Sequence, residues 1–225
     1  MTAKKEGLSH GIVILDLDGT LIDSREDIAS AVNSMRAFFS LPPLPHETVV
    51  SYVGDGMLKL LERSLRGTGI SPASGEALKV MRASYRANLL GRTALYDGVA
   101  EGLQKLHDGS WRIALLSNKP EEFCRVILRG LGIETFFFHV IGGDSGFPMK
   151  PDPAALEFLL ERAGVRNRPK SSWMFGDNHT DLEAGRRAGL RTAFAAYGFG
   201  NRAGLPCDFV AQTFAAFAGE VCREL

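Results

Sequence analysis

Ile12-Val13-Ile14-Leu15-Asp16-Leu17-Asp18-Gly19-Thr20-Leu21 decides how the rest of the chain is read. Four apolar residues run into an acid, one apolar residue follows, then a second acid and Gly-Thr. A short unbroken apolar run suits a strand buried on both faces, as in parallel sheets. Asp16 stands where that strand ends, and open α/β sheets bind ligands outside the carboxyl ends of their strands. One residue separates the acids, so a single site can hold both. Gly19 lets the chain turn sharply behind them. Taken alone, the stretch also fits a strand end followed by an ordinary Asp-Gly turn.

Beyond it the pattern becomes helical. Ile28, Ala31, Val32, Met35, Phe38 and Phe39 recur at helical spacing, with Asp23 or Ser24 as N-cap. Leu41-Pro-Pro-Leu-Pro ends that helix. Leu58, Leu61 and Leu65 share a face of a second helix, and Ala77, Val80, Met81 and Tyr85 mark a third between Glu76 and Leu90. Ser24 to Thr93 therefore reads as one helical unit.

From Gly98 onward, helices alternate with strands at 111–117, 136–141, 172–175, 191–195 and 209–210, and a last helix runs from Phe214 to Leu225. That alternation implies an α/β fold, a mostly parallel sheet of Rossmann-like type flanked by helices. The helical unit is an insertion between the first strand and the first core helix. The expected division is 1–23 with 94–225 as the core and 24–93 as the insertion.

The bulk properties exclude several function classes. The chain has 225 residues, 45% hydrophobic and 23% charged, enough to bury a real core. Lys+Arg and Asp+Glu balance at 26 each, so no net charge draws it to nucleic acid or to an anionic membrane. Three scattered cysteines, Cys124, Cys207 and Cys222, suit neither a disulfide framework nor a zinc site and fit a reducing cytoplasm. No apolar run is long enough to span a bilayer. Met1 to His10 is polar, unlike a signal peptide, and reads as a disordered lead-in.

Further chemistry sits at later strand ends. One strand runs into Ser117-Asn118-Lys119-Pro120, where a hydroxyl and exposed amides at a helix start can bind an anion, or simply cap the helix. Lys150 lies in the stiff segment Met149-Lys-Pro-Asp-Pro153. Trp173-Met-Phe-Gly-Asp177 is a strand ending in an acid, with Asp181 four residues on. Asp181 alone could be a helix-start acid opposing the dipole. Together these ends offer two acids, a hydroxyl, a lysine and two more acids. Hard carboxylates suit Mg²⁺ with a substrate phosphate, and a carboxylate can itself be a nucleophile.

The ordered set Asp16-Leu-Asp18-Gly-Thr20, Ser117-Asn118, Lys150-Pro-Asp-Pro and Gly176-Asp177-x-x-x-Asp181 resembles the haloacid dehalogenase-like hydrolase superfamily, over nearly the whole chain. The resemblance implies Asp16 as nucleophile and Asp18 as general acid and base. It implies Ser117, Asn118 and Lys150 as phosphate binders, and Mg²⁺ held by Asp16, the Asp18 carbonyl and Asp177. Thr20 would support the first loop, and Asp181 would be either a further metal acid or the partner that orients Lys150. Dehalogenases lack an acid at the position of Asp18, so its presence points to phosphoryl transfer.

The insertion resembles the helical cap of one branch, and Gly54-Asp55-Gly56 resembles the cap loop of phosphoglycolate phosphatases, where it lines the pocket over the substrate. The implied activity is hydrolysis of small phosphomonoesters through an aspartyl-phosphate, phosphoglycolate first. A mutase resembling β-phosphoglucomutase, a pyrophosphatase or nucleotidase, and a receiver-like phospho-accepting domain are the alternatives. The expected partner is a small phosphorylated metabolite, and the expected state a monomer or homodimer. His179, His46, His107 and His139 are read as non-ligands, Cys124 as core, and Gly142-Gly143-Asp144 as a turn.

Overall fold

The computed structural model describes residues 10–167 and 169–223. The lead-in of residues 1–9 and the last two residues of the chain lie outside it.

Six strands form a parallel sheet: β1 (Ile12–Leu15), β4 (Arg112–Leu116), β5 (Phe137–Ile141), β6 (Trp173–Gly176), β7 (Arg191–Ala195) and β8 (Phe209–Ala211), in the order β5-β4-β1-β6-β7-β8. β1 is central, with Ile14 opposite Ala114 on one side and Met174 on the other. All four of its residues are fully buried, as the unbroken apolar run requires. Ile12 and Ile14 face a core closed by α7 (Ala154–Arg162) and α8 (His179–Arg187). Val13 and Leu15 face the larger core under α5 (Val99–Asp108), α6 (Glu121–Gly130) and α9 (Phe214–Cys222).

From β1 the chain goes to β4 and β5 on one side, then crosses back to β6 on the other. The switch of direction falls beside β1, and such switch points are where open α/β sheets open a crevice for ligands.

A feature with no periodic signal sits beside β1. β2 (Ile22–Asp23) and β3 (Ala94–Leu95) form a two-stranded antiparallel ribbon, Ile22 opposite Leu95. Elements of two residues cannot show a period, so the sequence places no strand at either. The ribbon is the stem through which the chain leaves and re-enters the core. Between its strands lie α1 (Arg25–Phe38), the single turn α2 (His46–Val50), α3 (Met57–Ser64) and α4 (Glu76–Ala87).

Two residues assigned to apolar faces point outward: Phe38 is 59% exposed and Leu58 53%. Leu60 takes the place expected of Leu58, because α3 begins at Met57 and turns Leu60, Leu61 and Leu65 inward. The expected cap at Ser24 also differs. Ser24 holds the N-cap position, but its hydroxyl turns away from α1 to Asp18.

Asp27, buried in the first turn of α1, secures the stem. Its carboxylate accepts from the backbone amides of Arg92 and Thr93 and from the Thr93 hydroxyl, at 2.7–3.0 Å. Hydrogen bonds to a charged acceptor are each worth about 1.5–3 kcal/mol. Asp27→Ala should therefore cost about 3 kcal/mol, read as a lower urea midpoint at unchanged slope. A midpoint within error of the parent would show that the stem does not depend on it.

On the far side, Tyr85 of α4 meets Phe123 of α6 edge-on at 5.4 Å. Arg82 and Arg86 reach Glu122. These ion pairs are solvent-exposed and hold the insertion only weakly.

Candidate active site

Asp16 follows β1 directly, its amide donating to Phe175 O of β6 at 3.0 Å. Asp177 follows β6, so two neighbouring strands deliver their terminal acids to one place. The first loop is laid against the second acid. Gly19 has φ +79°, and a Cβ there would come within 1.8 Å of Asp177 Oδ2; only glycine meets both conditions. That same oxygen accepts from the amides of Phe199 (3.0 Å) and Gly200 (2.7 Å) in the loop after β7. Nothing in the sequence marked this loop, because backbone donors leave no side-chain signature.

Lys150 is the hub. Its ammonium donates to Asp16 Oδ1 (2.7 Å), Asp181 Oδ1 (2.7 Å) and Leu116 O (2.8 Å). Burial alone would lower its pKa, but Asp16 and Asp181 raise it, so the lysine stays charged. Lys150 is not at a strand end, as its place in the pattern had suggested; it lies nine residues past β5. Asn118 brings it back, accepting from the Lys150 amide at 2.9 Å and donating to the Lys150 carbonyl at 3.1 Å.

Asp181, fully buried, spends one oxygen on Lys150 and the other on the Asn178 amide at 3.0 Å, part of a capping box that starts α8 two residues earlier than expected, at His179.

Asp16, Asp177 and Asp181 each present an oxygen within 4.8 Å of the others. Burial raises the pKa of Asp16 to about 7, with Lys150 opposing and Asp181 adding to the rise. Burial, then Asp16 and Asp181, raise Asp177 well above the usual carboxylate range. Three buried acids against one lysine are short of positive charge. The donor set fits a hard divalent cation such as Mg²⁺, whose charge would relieve that crowding.

Asp18 points elsewhere. Its Oδ1 accepts from the Ser24 hydroxyl and from Lys119 Nζ, both at 2.5 Å. Lys119, 8% exposed, lies over the Tyr85 ring at 4.8 Å. Burial opposes its charge, but Asp18 raises its pKa. The sequence singles out Ser117 and Asn118 but not Lys119 or Tyr85, since a lysine beside a helix start and a tyrosine on a helical face look alike whether buried or solvated. Ser117 Oγ accepts from the Lys119 amide at 3.3 Å, leaving its proton for another acceptor.

The cleft above these groups is lined by Asp16, Asp18, Ser117, Asn118, Lys119, Lys150 and Asp177 below and by Ile28, Met57, Leu60, Met81 and Tyr85 of the insertion above. Gly54 and Gly56 line it too, and the Gly54 carbonyl accepts from Asn118 Nδ2 at 2.9 Å. A side chain at Gly54 would meet the Asn178 amide group at 2.7 Å, in a backbone at φ +124°.

Asp55, grouped with these glycines in the sequence, is turned to Arg63 and does not line the cleft. Thr20 is fully buried behind the loop, its carbonyl accepting from Tyr197 Oη at 2.7 Å. His179 and Cys124 stay outside the cleft, and Asp144 caps α6 by accepting from the Glu121 amide.

The model of the haloacid dehalogenase-like hydrolase family matches residues 13–195. Phosphoglycolate phosphatase 1 of Pseudomonas aeruginosa is 37% identical over 192 residues, covering 84% of this chain and 70% of that protein. The phosphoglycolate phosphatase of Colwellia psychrerythraea is 34% identical over 194 residues, 84% and 85% of the two chains. The crystal structure of a predicted phosphoglycolate phosphatase from Haemophilus somnus superposes with a TM-score of 0.86 at 26% identity, covering 95% of this chain and 99% of that one.

Proposed function

Because this chain belongs to the haloacid dehalogenase-like hydrolases and is a phosphoric monoester hydrolase, we propose that it cleaves small phosphomonoesters by transferring the phosphoryl group to Asp16, with Mg²⁺ as cofactor and phosphoglycolate as substrate. One observation carries the mechanism. A buried carboxylate, Asp16, opens on the cleft beside a lysine that stays charged, with a second carboxylate two residues away facing the same space.

Asp16 attacks phosphorus as the ester P–O bond breaks, and protonated Asp18 gives its proton to the leaving oxygen. Asp18, now a carboxylate, takes a proton from water, which attacks phosphorus in turn. The bond to Asp16 breaks, and phosphate leaves with both acids restored. Lys150 offsets the charge on Asp16 and on the phosphoryl oxygens, and the Ser117 hydroxyl and Asn118 amide orient them.

Asp16, the Asp18 carbonyl and Asp177 would hold Mg²⁺, which supplies charge neutralisation at the phosphoryl oxygens. Asp181 acts through Lys150; both its oxygens are engaged, which favours the orienting role over that of a metal ligand.

We assign 24–93 as the cap and 1–23 with 94–225 as the catalytic core. Gly54 and Gly56 close the cleft over the substrate, and Thr20 supports the first loop. The relatives named phosphoglycolate phosphatases support the choice of substrate. We place the enzyme in the cytoplasm, as a monomer or homodimer. No described helix is long and apolar enough to cross a membrane.

A panel of phosphate esters assayed for phosphate release tests this reading. Phosphoglycolate should be hydrolysed with Mg²⁺, and activity should fall by on the order of 100-fold or more with excess chelator, as expected when a charge-neutralising ion is lost. Release from no ester with Mg²⁺ present, or isomerisation of a sugar phosphate without net release, would contradict it.

A further inference from the structure

We infer that Lys119 and Tyr85 form a second anion subsite, which takes a carboxylate on the substrate's leaving group and draws Lys119 away from Asp18, freeing that acid for proton transfer. The inference rests on the phosphatase reading and adds to it the residues that select an anionic ester.

Two independent observations point to a ligand. The first is Lys119, almost wholly buried, charged, and set in the cleft wall beneath the apolar side chains of Ile28, Leu60 and Met81. Its one carboxylate partner is Asp18, at 2.5 Å. That contact occupies the group that must carry a proton to the leaving oxygen, so Lys119 has to release Asp18 before the transfer.

The second is the Tyr85 hydroxyl. Tyr85 is 2% exposed and lines the cleft, yet its oxygen makes no hydrogen bond of ordinary geometry. Buried hydroxyls are rarely left without a partner. A substrate carboxylate beside Lys119 would accept from both the ammonium and this hydroxyl. A neutral leaving group would leave the hydroxyl unsatisfied and Lys119 on Asp18.

The test compares phosphoglycolate with 2-hydroxyethyl phosphate, in which an alcohol replaces the carboxylate. Both are assayed in the parent, Lys119→Met, Lys119→Arg and Tyr85→Phe. The parent should prefer the anionic ester in kcat/KM by on the order of 100-fold, the scale on which an unpaired buried polar site discriminates. Lys119→Met should abolish most of that preference, and Lys119→Arg should restore part of it. Tyr85→Phe should raise KM for phosphoglycolate several-fold with little change in melting temperature, since its hydroxyl makes no hydrogen bond of ordinary geometry.

An equal loss for both esters in Lys119→Met would make Lys119 a positioning residue for Asp18 and overturn the subsite. So would a parent that uses both esters equally. If Lys119→Met does not fold, an unchanged preference in Tyr85→Phe overturns it. These results leave the phosphatase reading intact, whereas hydrolysis of neither ester removes that reading and the subsite with it.

Discussion

Asp16→Asn should lose turnover by at least on the order of 10⁴-fold while gaining stability. The amide keeps an oxygen that Lys150 can donate to, so the contact at Oδ1 survives. Lost is the charge that the proposed mechanism uses to attack phosphorus. The gain in stability follows from the same geometry. Three carboxylates lie within 4.8 Å of one another, and the folded site holds Asp16 up to about 7, so its charge costs more than Lys150 returns.

Neutralising Asp16 should relieve of order 1 kcal/mol, seen as a rise of about 2–4 °C in melting temperature for a chain of this size, measured with chelator present. Such an exchange of stability for activity is the mark of a strained site. Turnover near that of the parent would remove Asp16 from the chemistry. A lower melting temperature would mean that the acids are not crowded as described.

Lys150→Met should cost about 3–5 kcal/mol, the scale for removing one partner of a buried ion pair, and should abolish activity. The deletion strands two carboxylates and also orphans the Leu116 carbonyl at the end of β4. Lys150→Met combined with Asp181→Asn should recover part of the stability, because one uncompensated charge is gone, but none of the activity. That non-additivity is expected of residues in direct contact. A single variant as stable as the parent would show that Lys150 is not the counter-ion of this cluster.

Some of this site could be read from residue order because its side chains come from sequence-local signals. The apolar run into Asp16 and the run into Asp177 each mark a buried strand with an acid at its tip, and β1 and β6 are neighbours in the sheet. Lys150 was legible by its proline-flanked segment, although the turn that returns it is made by Asn118.

Other features depend on distant contacts. Lys119 reaches Asp18 across the cleft, and Tyr85 meets Lys119 only because α4 leans onto α6. The amides of Phe199 and Gly200 act through the backbone, which any sequence supplies. Ser24 looks like an N-cap by position and serves Asp18 instead, a choice decided by the ribbon beneath it. Asp55 shows the converse: a glycine-flanked acid suggested a ligand contact, and Arg63 eight residues on claims it.

In the proposed mechanism the phosphoryl group passes through Asp16. Acid-quenching the enzyme during turnover of phosphoglycolate, reducing with borohydride and mapping the peptides tests it directly. An aspartyl-phosphate is reduced to homoserine, and the account predicts that residue at position 16 and nowhere else. Homoserine at another acid, or phosphate release with position 16 recovered only as aspartate, would contradict it.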